Sequence, residues 1–197
     1  MGIESLLPGT ALVAIVLFIA REGLEAKRRS DTKKRTLRGL KLLFARECQL
    51  NYWASHSLGE TLREIRELAA KNRLRDIRIE ERPVEGPYFV LRNDEGVSHS
   101  WPIPEVHREE LNKRLVEVAG LEEKLFTIYE AVVDQLAELE NVRVQLAFGT
   151  GSAPISRDDF LLGLAEYGGN VIERTDLALK ALYKECTDKE LTEWRLR

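Results

Sequence analysis

Cysteine and histidine are scarce in this chain, and so is proximity between reactive side chains. It has 197 residues and only two cysteines, Cys48 and Cys186, too few for a disulfide framework, so both read as packing thiols. Its three histidines, His56, His99 and His107, fall into no His-x-x-x-His or Glu-x-x-His pattern. Glu105 and His107 are two apart and leave a helix on different faces, so no metal and no cofactor is expected. Gly149-Thr150-Gly151-Ser152 lacks the Lys-Ser/Thr pair of a phosphate-binding loop and runs into Ala153-Pro154, which makes it a connector. Neither Ser152 nor Ser156 has the surroundings of a nucleophile elbow. There is no internal repeat and no low-complexity stretch, and no catalytic residue is assigned.

Charge is missing from one place in particular, the run Leu6 to Ala20. Leu12, Val13, Ile15, Val16, Leu17, Phe18 and Ile19 make that run apolar on every face of a helix, and it stops at Arg21. Fifteen residues give about 22 Å of helix, short of a hydrocarbon core of roughly 30 Å unless Gly2, Ile3 and a snorkelling Arg21 extend it. On this basis residues 1–21 read as a single transmembrane anchor, since the Glu4 start and the Arg21-Glu22-Gly23 end do not suit a cleaved leader. Residues 21–41 hold nine Lys or Arg against three acids, a charge of +6, while residues 42–197 carry −8. The positive-inside bias then puts the N-terminus outside and the remainder in the cytoplasm at an inner membrane. Arg21, Lys27, Arg28, Arg29, Lys33, Lys34 and Arg35 would contact lipid headgroups along a basic stalk, residues 22–36. An acidic body discourages nucleic acid as a partner.

The chain beyond the stalk reads as a helical domain, residues 37–197, with a β insert at about 76–103. Leu37, Leu40, Phe44, Cys48, Leu58, Leu62 and Ile65 keep a helical period to about Asn72, with fraying or a bend expected before Leu37 and Asn51 placed to hydrogen-bond a partner helix. Ile77 and Ile79 alternate with Arg78 and Glu80, Tyr88 to Leu91 follow Gly86-Pro87, and Val97 to Trp101 follow an Asn93–Gly96 turn, which predicts a three-stranded antiparallel meander. A second helix is expected from Pro104 or soon after to about Asn141, weak at Gly120, with a loop from Leu146. A third starts at Ser156, with Asp159 three residues on as in a capping box, and has a soft spot at Gly168-Gly169. Thr187 and Glu190 suggest a short tail helix through Leu191 and Trp194. The fold class is therefore mainly α: a transmembrane helix, then an antiparallel bundle of about three long helices carrying a small antiparallel meander.

Function is read from surfaces. Long stripes suited to coiled-coil pairing, with no clustered reactive groups, predict a membrane-anchored, non-enzymatic interaction or scaffold protein of bacterial or phage type, with a protein partner or a second copy. The meander residues Tyr88, Phe89, Val90 and Trp101 are the candidate partner surface. The alternative is a membrane-tethered effector or toxin-like enzyme of a defence system. Arg92-Asn93 with His99 loosely resembles the Arg-polar-x-His pattern of helical ribonucleases, the HEPN domains. The spacing is longer than that pattern and spans a turn between strands where that family has a helix, so no catalytic role is carried across.

Overall fold

The structure, a computed structural model, describes residues 9–92, 98–149 and 156–192. It divides into two compact units, residues 1–41 and 42–197. The first helix, α1 (Gly9–Ala70), runs through both without a break. The stalk region is thus helical throughout, with Glu25 bridging Arg21 at 3.2 Å and Arg29 at 3.5 Å as i,i+4 partners.

One expectation is overturned. Among the described residues no helix is long and apolar enough to cross a membrane. The uncharged part of α1 that is described, Gly9 to Ala20, makes about 18 Å of helix, little more than half of a hydrocarbon core, before Arg21 and Glu22 follow. Residues 1–8 of the expected anchor lie outside the described residues. The anchor, the single-pass inner-membrane location and the outside N-terminus are corrected together. The headgroup role given to Arg21, Lys27, Arg28, Arg29, Lys33, Lys34 and Arg35 depended on that anchor and goes with it.

In the unit spanning residues 42–197, α1 ends where Asn72 turns into the left-handed region (φ 55°), and a single 3-10 turn, Leu74–Asp76, leads into the sheet. Strands β1 (Ile77–Arg82), β2 (Gly86–Arg92) and β3 (Ser98–Pro102) pair antiparallel in the order β1-β2-β3, with Ile79 opposite Phe89 and Phe89 opposite Trp101. The predicted meander is therefore present, although its Asn93–Gly96 turn lies outside the described residues. Gly86 has φ +80°, the left-handed conformation that lets the chain reverse between β1 and β2 without a Cβ penalty.

Where one second helix was expected there are two, α2 (Glu109–Ala119) and α3 (Glu123–Phe148). Gly120 caps α2, and the Leu121 N–H bonds the Val118 carbonyl in a tighter turn that ends the helix. α3 runs past Asn141 into the expected loop because Val142, Leu146 and Ala147 continue the buried stripe of Leu125, Tyr129, Val132, Leu136 and Leu139. The last helix, α4 (Arg157–Thr187), opens as expected: the Ser156 hydroxyl accepts the Asp159 N–H at 3.2 Å. No tail helix follows among the described residues: Asp188 turns into the left-handed region, and residues 193–197 lie outside them, as does the connector at 150–155.

The core forms where α3 and α4 pack on each other and on the C-terminal half of α1, with Phe44, Leu58, Leu62 and Ile65 fully enclosed. Gly168 sits at the closest approach. A Cβ there would lie 2.5 Å from Leu62 Cδ1 and 3.1 Å from Val142 Cγ1. The residue that looked like a weak point is one the packing requires.

Candidate functional site

The meander covers α1 instead of offering a free face. Phe89 and Val90 are buried, Phe89 stacks on Trp101 with centroids 4.8 Å apart, and the Trp101 indole N–H donates to the Thr61 hydroxyl at 2.9 Å. Of the four residues proposed as a partner surface, Phe89 and Val90 belong to the core and Trp101 is spent on α1. Tyr88 is half-buried beneath the Arg82 guanidinium, 3.7 Å from its ring. Burial on both sides explains the apolar run at 88–91, a pattern that periodicity alone does not separate from an exposed edge. Arg92 and His99 lie on β2 and β3, both exposed, and Asn93 is outside the described residues, so no ribonuclease-like grouping is assembled.

Polar chemistry collects on one side of α1, at Glu47, Asn51 and Ser55, four residues apart and all buried. Asn51 is bonded three ways. Its amide donates to the carbonyls of Glu47 (2.9 Å) and His107 (2.7 Å), and its oxygen accepts the His107 N–H (2.8 Å). The side chain thereby pairs with the backbone of His107 as a strand would. The partner is the segment entering α2, not the helix anticipated from sequence.

One turn further on, Ser55 donates to Asp176 of α4 at 2.7 Å, and His56 Nε2 lies 3.4 Å from the other Asp176 oxygen. Burial pushes the Asp176 carboxyl up, against the Ser55 hydrogen bond, His56 and Lys180, which draw it down. The order is hydroxyl, carboxylate, imidazole. An activated serine needs the imidazole next to the hydroxyl, so this trio clamps α1 to α4 and does not generate a nucleophile. Cys48 is likewise inert: burial raises its thiol well above the ordinary range.

A groove of about 550 Å³ between α3 and α4 is lined by Asp134, Glu138, Tyr167, Asn170 and Arg174, and the Tyr167 hydroxyl donates to Glu138, which raises the phenol. It contains no nucleophile and base in contact. Among the described residues no group of three or more His, Cys, Asp or Glu could hold a metal ion.

The chain matches no family model, no curated protein and no solved structure. Its chemistry is therefore read from its own residues.

Glu47 has the most unusual setting. Desolvation raises its carboxyl above the ordinary 4.5, opposed in part by His107 and Arg46. With the folded value above the unfolded one, the stability linked to this group is fully present below the unfolded pKa and is lost as pH rises through the folded value. Glu47→Gln removes that loss. Urea titrations across the acid range should show the variant close to wild type below pH 4.5 and gaining on it as pH rises to neutrality.

Proposed function

We propose that the protein is a non-enzymatic interaction protein that assembles with copies of itself through the apolar segment Leu12–Leu24 of α1. The observation carrying this reading is that Leu12, Val13, Ile15, Val16, Leu17, Phe18, Ile19 and Leu24 are 48–65% exposed on that helix. Apolar patches of this size are rare on lone soluble chains. At roughly 100 Å² each, the area implied by the free energy of burying such side chains, the eight offer about 800 Å², one partner's share of a standard interface.

A second copy fits better than an unlike partner because residues 12–20 of the segment are apolar on all faces. One flat or grooved surface leaves half of such a helix wet, whereas identical helices around a common axis cover one another. The exposed Lys27, Arg28, Lys33, Lys34 and Arg35 follow on the same helix and would repel in a parallel bundle. Added salt therefore strengthens assembly by screening that repulsion and raising the effective burial of the apolar segment.

Sedimentation velocity of the full chain tests this. Wild type should be oligomeric, more so at higher salt, and the double variant Ile15→Glu/Phe18→Glu should be monomeric with an unchanged far-ultraviolet dichroism spectrum, since both residues are exposed. A wild type that stays monomeric up to about 100 µM, where a Kd corresponds to roughly −5.5 kcal/mol, would defeat the reading. So would a variant that assembles as wild type does.

A further inference from the structure

Residues 21–41 of α1 carry nine Lys or Arg against Glu22, Glu25 and Asp31, in a chain whose net charge is −3. Glu25 holds Arg21 and Arg29. Among the described residues, Lys27, Arg28, Lys33, Lys34, Arg35 and Arg38 are exposed and bridge no acid. Arg29–Lys33 and Lys34–Arg38 are like charges at i,i+4, a spacing at which they destabilise a helix. That repulsion is left standing, and an anion from outside relieves it.

At about 100° per residue, Lys27, Lys34 and Arg38 fall on one side of the helix, Arg28 and Arg35 on a second and Lys33 on a third, all within about 17 Å of its length. From Glu25 to Thr36 there is no large apolar residue, so the segment has no face to sink into a lipid surface. From Arg21 to Lys41 there is no aromatic residue, asparagine or glutamine, so nothing stacks on a base or pairs with an adenine edge. Charge on several sides of one helix suits a flexible chain of phosphates able to wind around it.

We propose that residues 27–38 bind a linear polyphosphate, a polymer with a negative charge on each phosphate and neither bases nor acyl chains. Each Arg forks onto two phosphate oxygens and each Lys supplies a point charge. The −8 carried by residues 42–197 repels such a polymer, which confines it to the basic segment. The site is complete within one copy, so it does not depend on self-assembly. Where copies do assemble, one polymer laid across several basic segments cancels the repulsion between them, and its grip increases through multivalency. Salt acts on the two events with opposite sign: it weakens the hold on the polymer and strengthens the apolar contact.

Binding of the full chain to end-labelled sodium polyphosphate, read by fluorescence anisotropy, tests this. Saturable binding is expected, weakened about 100-fold between about 50 and 200 mM salt as counterions return to the polymer at six contacts. Lys33→Gln/Lys34→Gln/Arg35→Gln changes exposed residues only and should weaken binding by about tenfold or more, because half of those contacts are lost. Arg63→Gln/Arg75→Gln/Lys113→Gln removes the same charge from exposed positions within residues 42–197 and should leave binding unchanged. The double variant Ile15→Glu/Phe18→Glu should still bind saturably, so loss of self-assembly and loss of this site are told apart. The proposal fails if polyphosphate does not bind saturably, if phosphatidylserine vesicles or a thymidine oligonucleotide bind more tightly than it does, or if the triple variant at 33–35 binds as wild type does.

Discussion

Asn51→Leu is expected to cost about 3 kcal/mol or more of folding stability, read as a lower urea midpoint at unchanged slope. Leucine keeps the branched outline of asparagine with bulkier methyl groups, so crowding adds to the loss, and the His107 N–H and carbonyl both lose their partner inside the protein. Each buried group stranded in this way costs about 1–3 kcal/mol. Asn51→Asp separates the hydrogen bonds from the shape. An aspartate still accepts the His107 N–H, but it turns a carboxylate toward the carbonyls of Glu47 and His107 that the amide now serves. Those carbonyls favour the protonated acid, so the folded pKa of the new residue lies above its unfolded value of about 3.9. Asn51→Asp should therefore be tolerated best in acid and lose stability as pH rises through that folded value. Asn51→Leu should show no such added slope.

The second large effect is at Gly168. Gly168→Leu should lower stability by roughly 3 kcal/mol, about 6–12 °C in Tm for a unit of this size, because the added side chain enters space already filled by Leu62 and Val142. Leu62 Cδ1 is the far end of a flexible side chain, but Leu62 and Val142 are both fully enclosed, so neither can swing into solvent. Gly163 gives the contrast on the same helix. A Cβ there meets nothing within 4 Å, and Gly163→Ala should gain about 1 kcal/mol from helix propensity alone. Thermal unfolding of the two variants beside wild type should move in opposite directions.

Those two glycines also mark how far the sequence could be read. Local chemistry was legible: the Ser156 cap, the alternation at Ile77 and Ile79 and the stripe of α3 each depend on residues within a few positions, and each is present. Whatever depends on a distant neighbour was not. Gly168-Gly169 looks soft because glycine lowers helix propensity, and only the positions of Leu62 and Val142, 106 and 26 residues away, turn it into a packing requirement. Asn51 was expected to matter, but its partner is a backbone 56 residues on, which no spacing announces. The meander's apolar residues were read as an edge because burial on both faces and exposure on one leave similar short runs. The reading of residues 1–21 failed for another reason. Hydropathy measures how much a segment avoids water but not what relieves it, and a stretch of this length is ambiguous between lipid and other helices.

The candidate site was the least legible part. Glu47 stands in sequence as one glutamate among many on a helix with a polar face. Its distinction is a desolvated setting that raises its carboxyl, and that emerges only when α1 and the segment entering α2 are brought together. A weak signal was present: Glu47, Asn51 and Ser55 recur at intervals of four, which places them in one line along the helix.

The clamp between Ser55 and Asp176, and the contact of Gln49 with Tyr183, join points 121 and 134 residues apart along the chain. On the ribosome, the inward face of α1 is finished long before its covering helix exists. At about 5–20 residues per second, Ser55 waits on the order of 6–24 s for Asp176 to be made, holding Phe44, Leu58 and Leu62 open to water meanwhile. A chain stalled or cut before residue 157 keeps that face uncovered, and nascent chains of this protein should be at their most chaperone-dependent just before α4 is complete.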